Sequence, residues 1–228
     1  YIYEGTYKLD DFNKSGNSYT LKSNVPYYTS EANTQPGMPK YRDLNDDGVI
    51  NTNDCTFIGN GLPTHTGGFT NNFNYRDFDF SFFFQWSYGN DVLNANRLMF
   101  ESSWNRTREL NQFASYADRW TIDNPTSNIP RATSSSSNRV FSSRIIEDGS
   151  FLRLKTLTLG YTVPRKAISR VGIDQLRIYF AAQNLFTISN YSGYDPEVSI
   201  RESALTPGLD FSAYPRARSF SFGINLGF

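Results

Sequence analysis

The chain has 228 residues with 22 basic and 22 acidic side chains, so its formal charge is zero and nothing in that balance supports a nucleic-acid-binding surface. Its single cysteine, Cys55, excludes an internal disulfide and is expected to be structural rather than reactive. Mean hydropathy is −0.52 and no run of eighteen apolar residues occurs, which excludes a transmembrane helix but not transmembrane strands, whose alternation averages out to polar.

The chain opens on "YIYEGTYKLD", without an initiator Met or a signal-peptide pattern, and is expected to be a piece of a longer protein. The first informative stretch is "DLNDDGVINTND", Asp43 to Asp54. Counted from Asp43, side-chain oxygens fall at positions 1 (Asp43), 3 (Asn45), 5 (Asp47), 9 (Asn51) and 12 (Asp54), with Gly48 at 6 and the Val49 carbonyl at 7. A hard cation needs oxygens at alternate positions, a glycine at the sharp turn and a backbone carbonyl just after it. The pattern predicts an EF-hand-like loop holding a structural Ca2+, with Asp at position 12 where the strict form has Glu. Its flanks, "TQPGMPKYR" and "CTFIGNGLPTHTGG", are broken by Pro and Gly and cannot supply the two helices of an EF-hand. The expectation is a calcium loop carried by an irregular region, residues 27–66; the competing reading is a polar turn rich in Asp, Asn and Gly.

Strands follow. In "FDFSFFFQWSYG", Phe78, Phe80, Phe82, Phe84, Trp86 and Tyr88 share one face, and Asp79, Ser81, Phe83, Gln85 and Ser87 the other. Period two also predicts strands near Phe69 to Tyr75, Phe151 to Val163 (with Leu157, Leu159, Tyr161 and Val163 on one face) and Leu176 to Phe186. At the end, Phe220, Phe222, Ile224, Leu226 and Phe228 alternate with Ser221, Gly223, Asn225 and Gly227. The apolar faces are dominated by aromatics and the opposite faces are small and neutral, as for a lipid-facing band and a barrel lumen. A soluble β-sandwich would alternate too, but with charge on its outer faces. The reading is all-β: an antiparallel transmembrane β-barrel with long extracellular loops. The terminal aromatic strand, Phe220 to Phe228, is expected to act as the barrel-assembly signal.

Parity tests this. If Phe228 marks the periplasmic end, Arg76–Asp77 and 164–174 are short periplasmic connections. The long ones, about 89–150 and 187–215, are then extracellular, together with the calcium loop. About six strands are legible, and loops of this length are heavy for a small closed barrel, so a portion of a larger one is expected.

These residues also resemble a family. "QPGMPKYRDLNDDGVINTNDCTFIGN", "GNDVLNANR", "DRWTIDNPTSNIPRA", "FLRLKTLTLGYTVP", "LRIYFAAQNLFTISNYSGYDPEV" and "YPRARSFSFGINLGF" together look like the C-terminal part of a SusC/RagA-type TonB-dependent outer-membrane transporter, over most of 35–228. The family pattern usually has Gly where Asp46 stands and an acidic residue nearer Thr52; neither departure removes a calcium ligand. The resemblance implies a barrel of about 22 strands, an N-terminal plug and a TonB box that this chain does not include, and a lipoprotein lid of the SusD type. It implies partnership with TonB and outer-membrane lipid, and energy-coupled import of oligosaccharides or peptides across the outer membrane of Bacteroidota-type bacteria.

No catalytic constellation is legible, and no enzyme is expected. His65 is the only histidine and stands in a Gly/Pro/Thr loop without a nucleophile partner. Asp195 and Glu197 in "YDPEV" read as a turn whose carboxylates point apart. Glu147 and Asp148 read as a loop end, and Ser134 to Ser137 as a flexible loop. Trp104, Tyr191 and Tyr194 could stack on sugar rings; the preferred reading is that they pack the loops or meet the lipoprotein partner. Two other functions stay open: a SusC-like barrel serving as a scaffold without transport, and a secreted calcium-binding or carbohydrate-binding β-domain.

Overall fold

The computed structural model describes residues 1–102, 110–133, 139–200 and 206–228. Trp104 and the serine run 134–137 lie outside the described residues. The chain divides into two compact units. The first comprises Tyr1–Gly59, Leu93–Glu147 and Leu209–Ser212; the second comprises Asn60–Val92, Asp148–Gly208 and Ala213–Phe228.

The first unit is built from short strands. β1 (Tyr3–Thr6), β2 (Phe12–Ser15), β3 (Ser18–Leu21), β4 (Tyr27–Tyr28), β5 (Pro39–Tyr41) and β6 (Val49–Ile50) pair two by two: β1 with β5 and β2 with β3 antiparallel, β4 with β6 parallel. Tyr7, Phe12 and Leu21 form a buried cluster, with Tyr19, Val25, Tyr27 and Met38 packed around it. Tyr28 and Tyr1 pack their rings against Tyr41 at centroid distances of 5.3 and 5.5 Å. Such tilted and edge-to-face arrangements add specificity to the area they bury. Gly37 takes φ +81, and a Cβ there would come within 2.4 Å of the Trp120 ring. The "QPG" and "DRW" stretches therefore meet, glycine serving both the turn and the indole's close approach.

Asp91–Asn94 forms β9, whose Leu93 and Asn94 pair in parallel with Leu209 and Asp210 of β13 (Leu209–Asp210). The helix α1 (Ala95–Phe100) leads into buried Glu101, which accepts from Arg97 at 3.1 Å and Arg144 at 2.7 Å. Glu147 stands in β10 (Ile146–Asp148) rather than at a loop end, and accepts from Asn94 and Arg97.

The second unit is a five-stranded antiparallel sheet. Its strands are β7 (His65–Tyr75), β8 (Phe78–Tyr88), β11 (Phe151–Thr162), β12 (Gln175–Ser189) and β14 (Ser219–Gly227), in the order β14-β12-β11-β8-β7. β7 and β12 run longer than period two alone suggested, so His65 begins a strand instead of sitting in a loop. β14 starts at Ser219. Between Leu154 and Thr156 the pairing of β11 shifts against both neighbours: against β8 the extra residue is Lys155, whose ammonium donates to Gln85 at 2.6 Å, and against β12 the extra residue belongs to β12, between Gln183 and Phe186.

One face of this sheet is a continuous aromatic band. Phe73 stacks on Phe80, and Phe80–Phe82 and Phe82–Phe84 follow at 5.7 and 5.6 Å; Phe180 meets Phe222 at 5.0 Å. On the other face Arg177 pairs with Asp79 at 2.6 Å across Gly160, whose missing side chain leaves the space for the ion pair. Registers place His65, Tyr88, Phe151 and Ser189 at one end of the sheet, and Tyr75, Phe78, Thr162, Gln175 and Gly227 at the other. The second end has only the Arg76–Asp77 turn, with Arg76 at φ +55, and a connection containing α2 (Arg165–Ile168). Both long connections, 89–150 and 190–218, leave and return at the first end. This is the asymmetry expected from the sequence.

Candidate functional site

The Asp43–Asp54 loop folds around its own backbone amides. Asp43 Oδ2 accepts from Gly48 N at 2.8 Å, Asn45 Oδ1 from Asp47 N at 3.2 Å, and Asp47 Oδ1 from Val49 N at 2.8 Å. Asn51 caps the next turn by accepting from Asn53 N at 2.9 Å, while its Nδ2 donates to the Val49 carbonyl. Asp54 is fully buried, its two oxygens accepting from the amides of Leu44 and Asn51, each at 2.8 Å. The Asn51 amide first, then that of Leu44, holds the Asp54 carboxyl below its ordinary range in spite of burial. Gly48 takes φ +83 and Asp46 φ +57. The left-handed conformation at 46 accounts for the family's usual Gly, and Asp is among the few other residues that tolerate it.

One oxygen of this set has no donor. Asp43 Oδ1 is buried and unpartnered, the condition a bound cation would relieve. Among the described residues no three His, Cys, Asp or Glu side chains already converge as a metal cluster. The loop's chemistry is a mixed one, with Asn45, Asn51 and the Val49 carbonyl beside Asp43, Asp47 and Asp54. Such a set of oxygens suits calcium, which takes six to eight and tolerates irregular geometry. Cys55, just past the loop, is exposed.

A second constellation was misread from sequence. Asp195 and Glu197 do not point apart: both bind the Arg153 guanidinium, Asp195 through Nη2 and Glu197 through Nη1 at 3.0 Å. Arg153 is almost wholly buried and also donates to Thr187 Oγ1 at 3.0 Å, while Arg216 pairs with Glu197 at 3.2 Å. It is adjacent residues that point apart; Asp195 and Glu197 stand two apart, and from this turn both carboxylates reach one guanidinium. The signal that could have found them is the lone Arg in "FLRLK", a charge inside a strand that needs a partner.

Tyr191 is buried with Val92 and Val198, so in this structure it packs the protein; Tyr194 is 88% exposed. His65 Nδ1 accepts from Trp86 Nε1 at 3.2 Å. Phe220, Phe222, Ile224, Leu226 and Phe228 are all exposed, the first four on the apolar face of β14.

A sheet whose bulky aromatic face is exposed, and whose other face carries small and polar residues together with paired charges such as Arg177–Asp79 and Arg153–Asp195, is a segment of an antiparallel transmembrane β-barrel wall. No family model matches the chain. TonB-dependent receptor P26 of Formosa agariphila is 38% identical over 197 residues, covering 84% of this chain and 20% of that protein. TonB-dependent receptor P3 of the same organism is 34% identical over 205 residues, covering 88% and 20%. TonB-dependent receptor SusC of Bacteroides thetaiotaomicron is 30% identical over 200 residues, covering 87% and 18%. A solved structure of the RagAB peptide importer in its closed-closed state superposes over all of this chain and 22% of its own, with TM-score 0.67 at 23% identity. The chain belongs to the SusC/RagA family of TonB-dependent receptors, which are outer-membrane β-barrels and not enzymes, and it spans about a fifth of the length of the curated relatives it matches.

Proposed function

We propose that the protein containing this chain imports oligosaccharides or peptides across the outer membrane, energised through TonB and working with a SusD-like surface lipoprotein. The observation that carries the reading is the wall itself: a five-stranded segment with an exposed aromatic outer face and a more polar inner one, in a chain related to TonB-dependent receptors. In this reading the chain forms the last part of the barrel, and β14 supplies the assembly signal. The scaffold alternative lacks an observation in its favour, and the exposed aromatic face argues against a secreted soluble domain. Deleting the gene should abolish growth on the transported nutrient, and removing TonB function should do the same. Growth unchanged on every oligosaccharide and peptide supplied would refute import. Affinity capture from detergent should co-purify one surface lipoprotein in a fixed ratio.

The Asp43–Asp54 loop is, in this reading, extracellular and stapled by calcium held by Asp43, Asn45, Asp47, Asn51, Asp54 and the Val49 carbonyl. What supports it is the unpartnered buried Asp43 Oδ1 and the topology in which the residues before β7 lead into the sheet's long-loop end. Calcium would supply charge that binds the loop's oxygens into one shape, with no chemistry at stake. Calorimetric titration of the intact receptor should show a calcium site lost in the Asp43→Ala/Asp47→Ala double variant. A membrane-impermeant maleimide should label Cys55 on whole cells, and a Cys55→Ser variant should lose that label; protection of Cys55 until the cells are opened would put the loop on the wrong side.

A further inference from the structure

We infer that the outer face of the five-stranded sheet seats a membrane lipid with an ammonium-bearing headgroup, its acyl chain in a notch over Leu152 and its headgroup at a rim made by Asp148, Ser150 and Asn190. The cavity there measures about 460 Å³ and lies at the end of the sheet that carries the long connections. All its walls belong to the second unit.

The notch has a specific origin. One step deeper into the face, Phe84 and Phe186 meet across β11 at 6.1 Å and cover Leu154, which is 5% exposed. At the next level Trp86 and Ile188 flank Leu152 in the same register, yet Leu152 is 38% and Ile188 62% exposed. The difference is the direction of the indole. Trp86 lies away from β11, over Gly67 of β7, where a Cβ would fall 2.3 Å from its ring, and its Nε1 donates to His65 Nδ1 at 3.2 Å. The glycine and the hydrogen bond together hold the ring aside and leave Leu152 open. An apolar notch continuous with a lipid-facing band takes an apolar occupant, and an acyl chain is the one at hand there.

The rim selects the headgroup. Asp148 is exposed, and Ser150 holds its carboxyl below the ordinary range, first through its hydroxyl and then through its amide, which donates to Asp148 Oδ1 at 2.9 Å. Ser150 is itself fixed, its Oγ accepting from Gly89 N at 3.0 Å and its carbonyl from Ser189 Oγ at 2.9 Å. Among the described lining residues Asp148 is the only carboxylate and none is Lys or Arg. An ionised carboxylate above an apolar notch attracts an ammonium and repels a phosphate that brings no cation of its own. A zwitterionic aminolipid carries its ammonium outermost and its chains innermost, the order in which carboxylate and notch stand.

The test uses the intact receptor, purified in detergent and stripped of lipid, with dioleoyl phosphatidylethanolamine, dioleoyl phosphatidylglycerol and lipopolysaccharide as probes. Native mass spectrometry counts the lipid retained, with and without EDTA. Phosphatidylethanolamine should be retained about fivefold more strongly than phosphatidylglycerol, the scale of an exposed ion pair, and EDTA should not matter. Asp148→Asn keeps the hydrogen bonds from Ser150 and should bring the two lipids level. Leu152→Trp fills the notch, leaves the outer face apolar and should release both. Each reading is a ratio taken on folded receptor, so a poorer yield of a variant does not mimic the effect. No lipid retained, a preference that survives Asp148→Asn, or retention unchanged by Leu152→Trp overturns the inference. So does stronger retention of phosphatidylglycerol or lipopolysaccharide that EDTA abolishes, which would make the rim a cation-bridged phosphate site.

Discussion

In the first unit Tyr7 and Tyr41 are 1% and 2% exposed, while in the second Phe222 and Phe228 are 81% and 87% exposed. The tyrosines turn their rings inward and hand their hydroxyls to backbone carbonyls, as Tyr7 does with Pro26 and Tyr3 with Asn128. The phenylalanines have no polar end to satisfy, and they lie across the outside of a sheet. Burying a large apolar side chain is worth about 1.5–3 kcal/mol. The first unit collects that gain inside its own chain; the second obtains it only from an apolar phase outside. Two regions that are both rich in aromatics thus need opposite surroundings, and the direction in which the rings face separates them.

The largest expected effect falls on what is buried in the second unit. Arg153→Ala leaves Asp195 and Glu197 without their guanidinium and should destabilise that unit by about 3–5 kcal/mol, as removal of one partner from a buried charge pair does. Thermal unfolding of the intact receptor and proteolysis between residues 190 and 217 would report it. Replacing Arg153 and Asp195 together by apolar residues should recover part of the loss.

Next in size, Phe222→Arg on the outer face should weaken folding into bilayers by about 2–4 kcal/mol, whereas Phe222→Leu should be almost silent. Heat-dependent gel mobility in detergent reads this directly. Equal tolerance of arginine and leucine would mean the face does not meet lipid, and the contrast between the units would collapse.

Gly37→Ala acts on the first unit alone. It puts a methyl group against the Trp120 ring at a backbone angle alanine avoids, and about 1–3 kcal/mol of destabilisation is expected. Hydrogen exchange should show the change confined to that unit; a matching change in the β-sheet would reveal that the two unfold as one.

The smallest effect is on pH. The Asp54 carboxyl is held below its ordinary range by the Asn51 and Leu44 amides. Its contribution is therefore complete above the usual carboxylate pKa and is lost as pH falls through the depressed folded value. Protection factors of the Leu44 and Asn51 amides should drop only in that acid window.

Much of the wall could be read in advance, because period two in "FDFSFFFQWSYG" and "RSFSFGINLGF" has one physical meaning and because long and short connections sort to opposite ends. The first unit could not. Its strands are two to four residues long, too short to show a period, and its core is assembled from turns such as Gly37 under Trp120 that involve residues far apart in sequence. At the Asp43–Asp54 loop the spacing of the side-chain oxygens was legible, as was the lack of helix-forming flanks. Its pairing with Tyr27 and Tyr28 was not, since two parallel residues leave no trace in composition. The Arg153 cluster was lost for a related reason: its partners come from a turn 42 residues away, and strand alternation says nothing about turns.

The bulge at Lys155 has a consequence for which face each side chain of β11 occupies. On one side of it Leu157, Leu159 and Tyr161 sit opposite Phe82, Phe80 and Phe78; on the other side Leu152 and Leu154 sit opposite Trp86 and Phe84. The outward set changes from odd numbers to even, so a single inserted residue works as a phase slip in an otherwise strict two-beat rhythm. Without it, Arg153 would fall in step with Leu157 and meet the hydrocarbon. The extra residue is what turns a guanidinium away from lipid and toward Asp195 and Glu197.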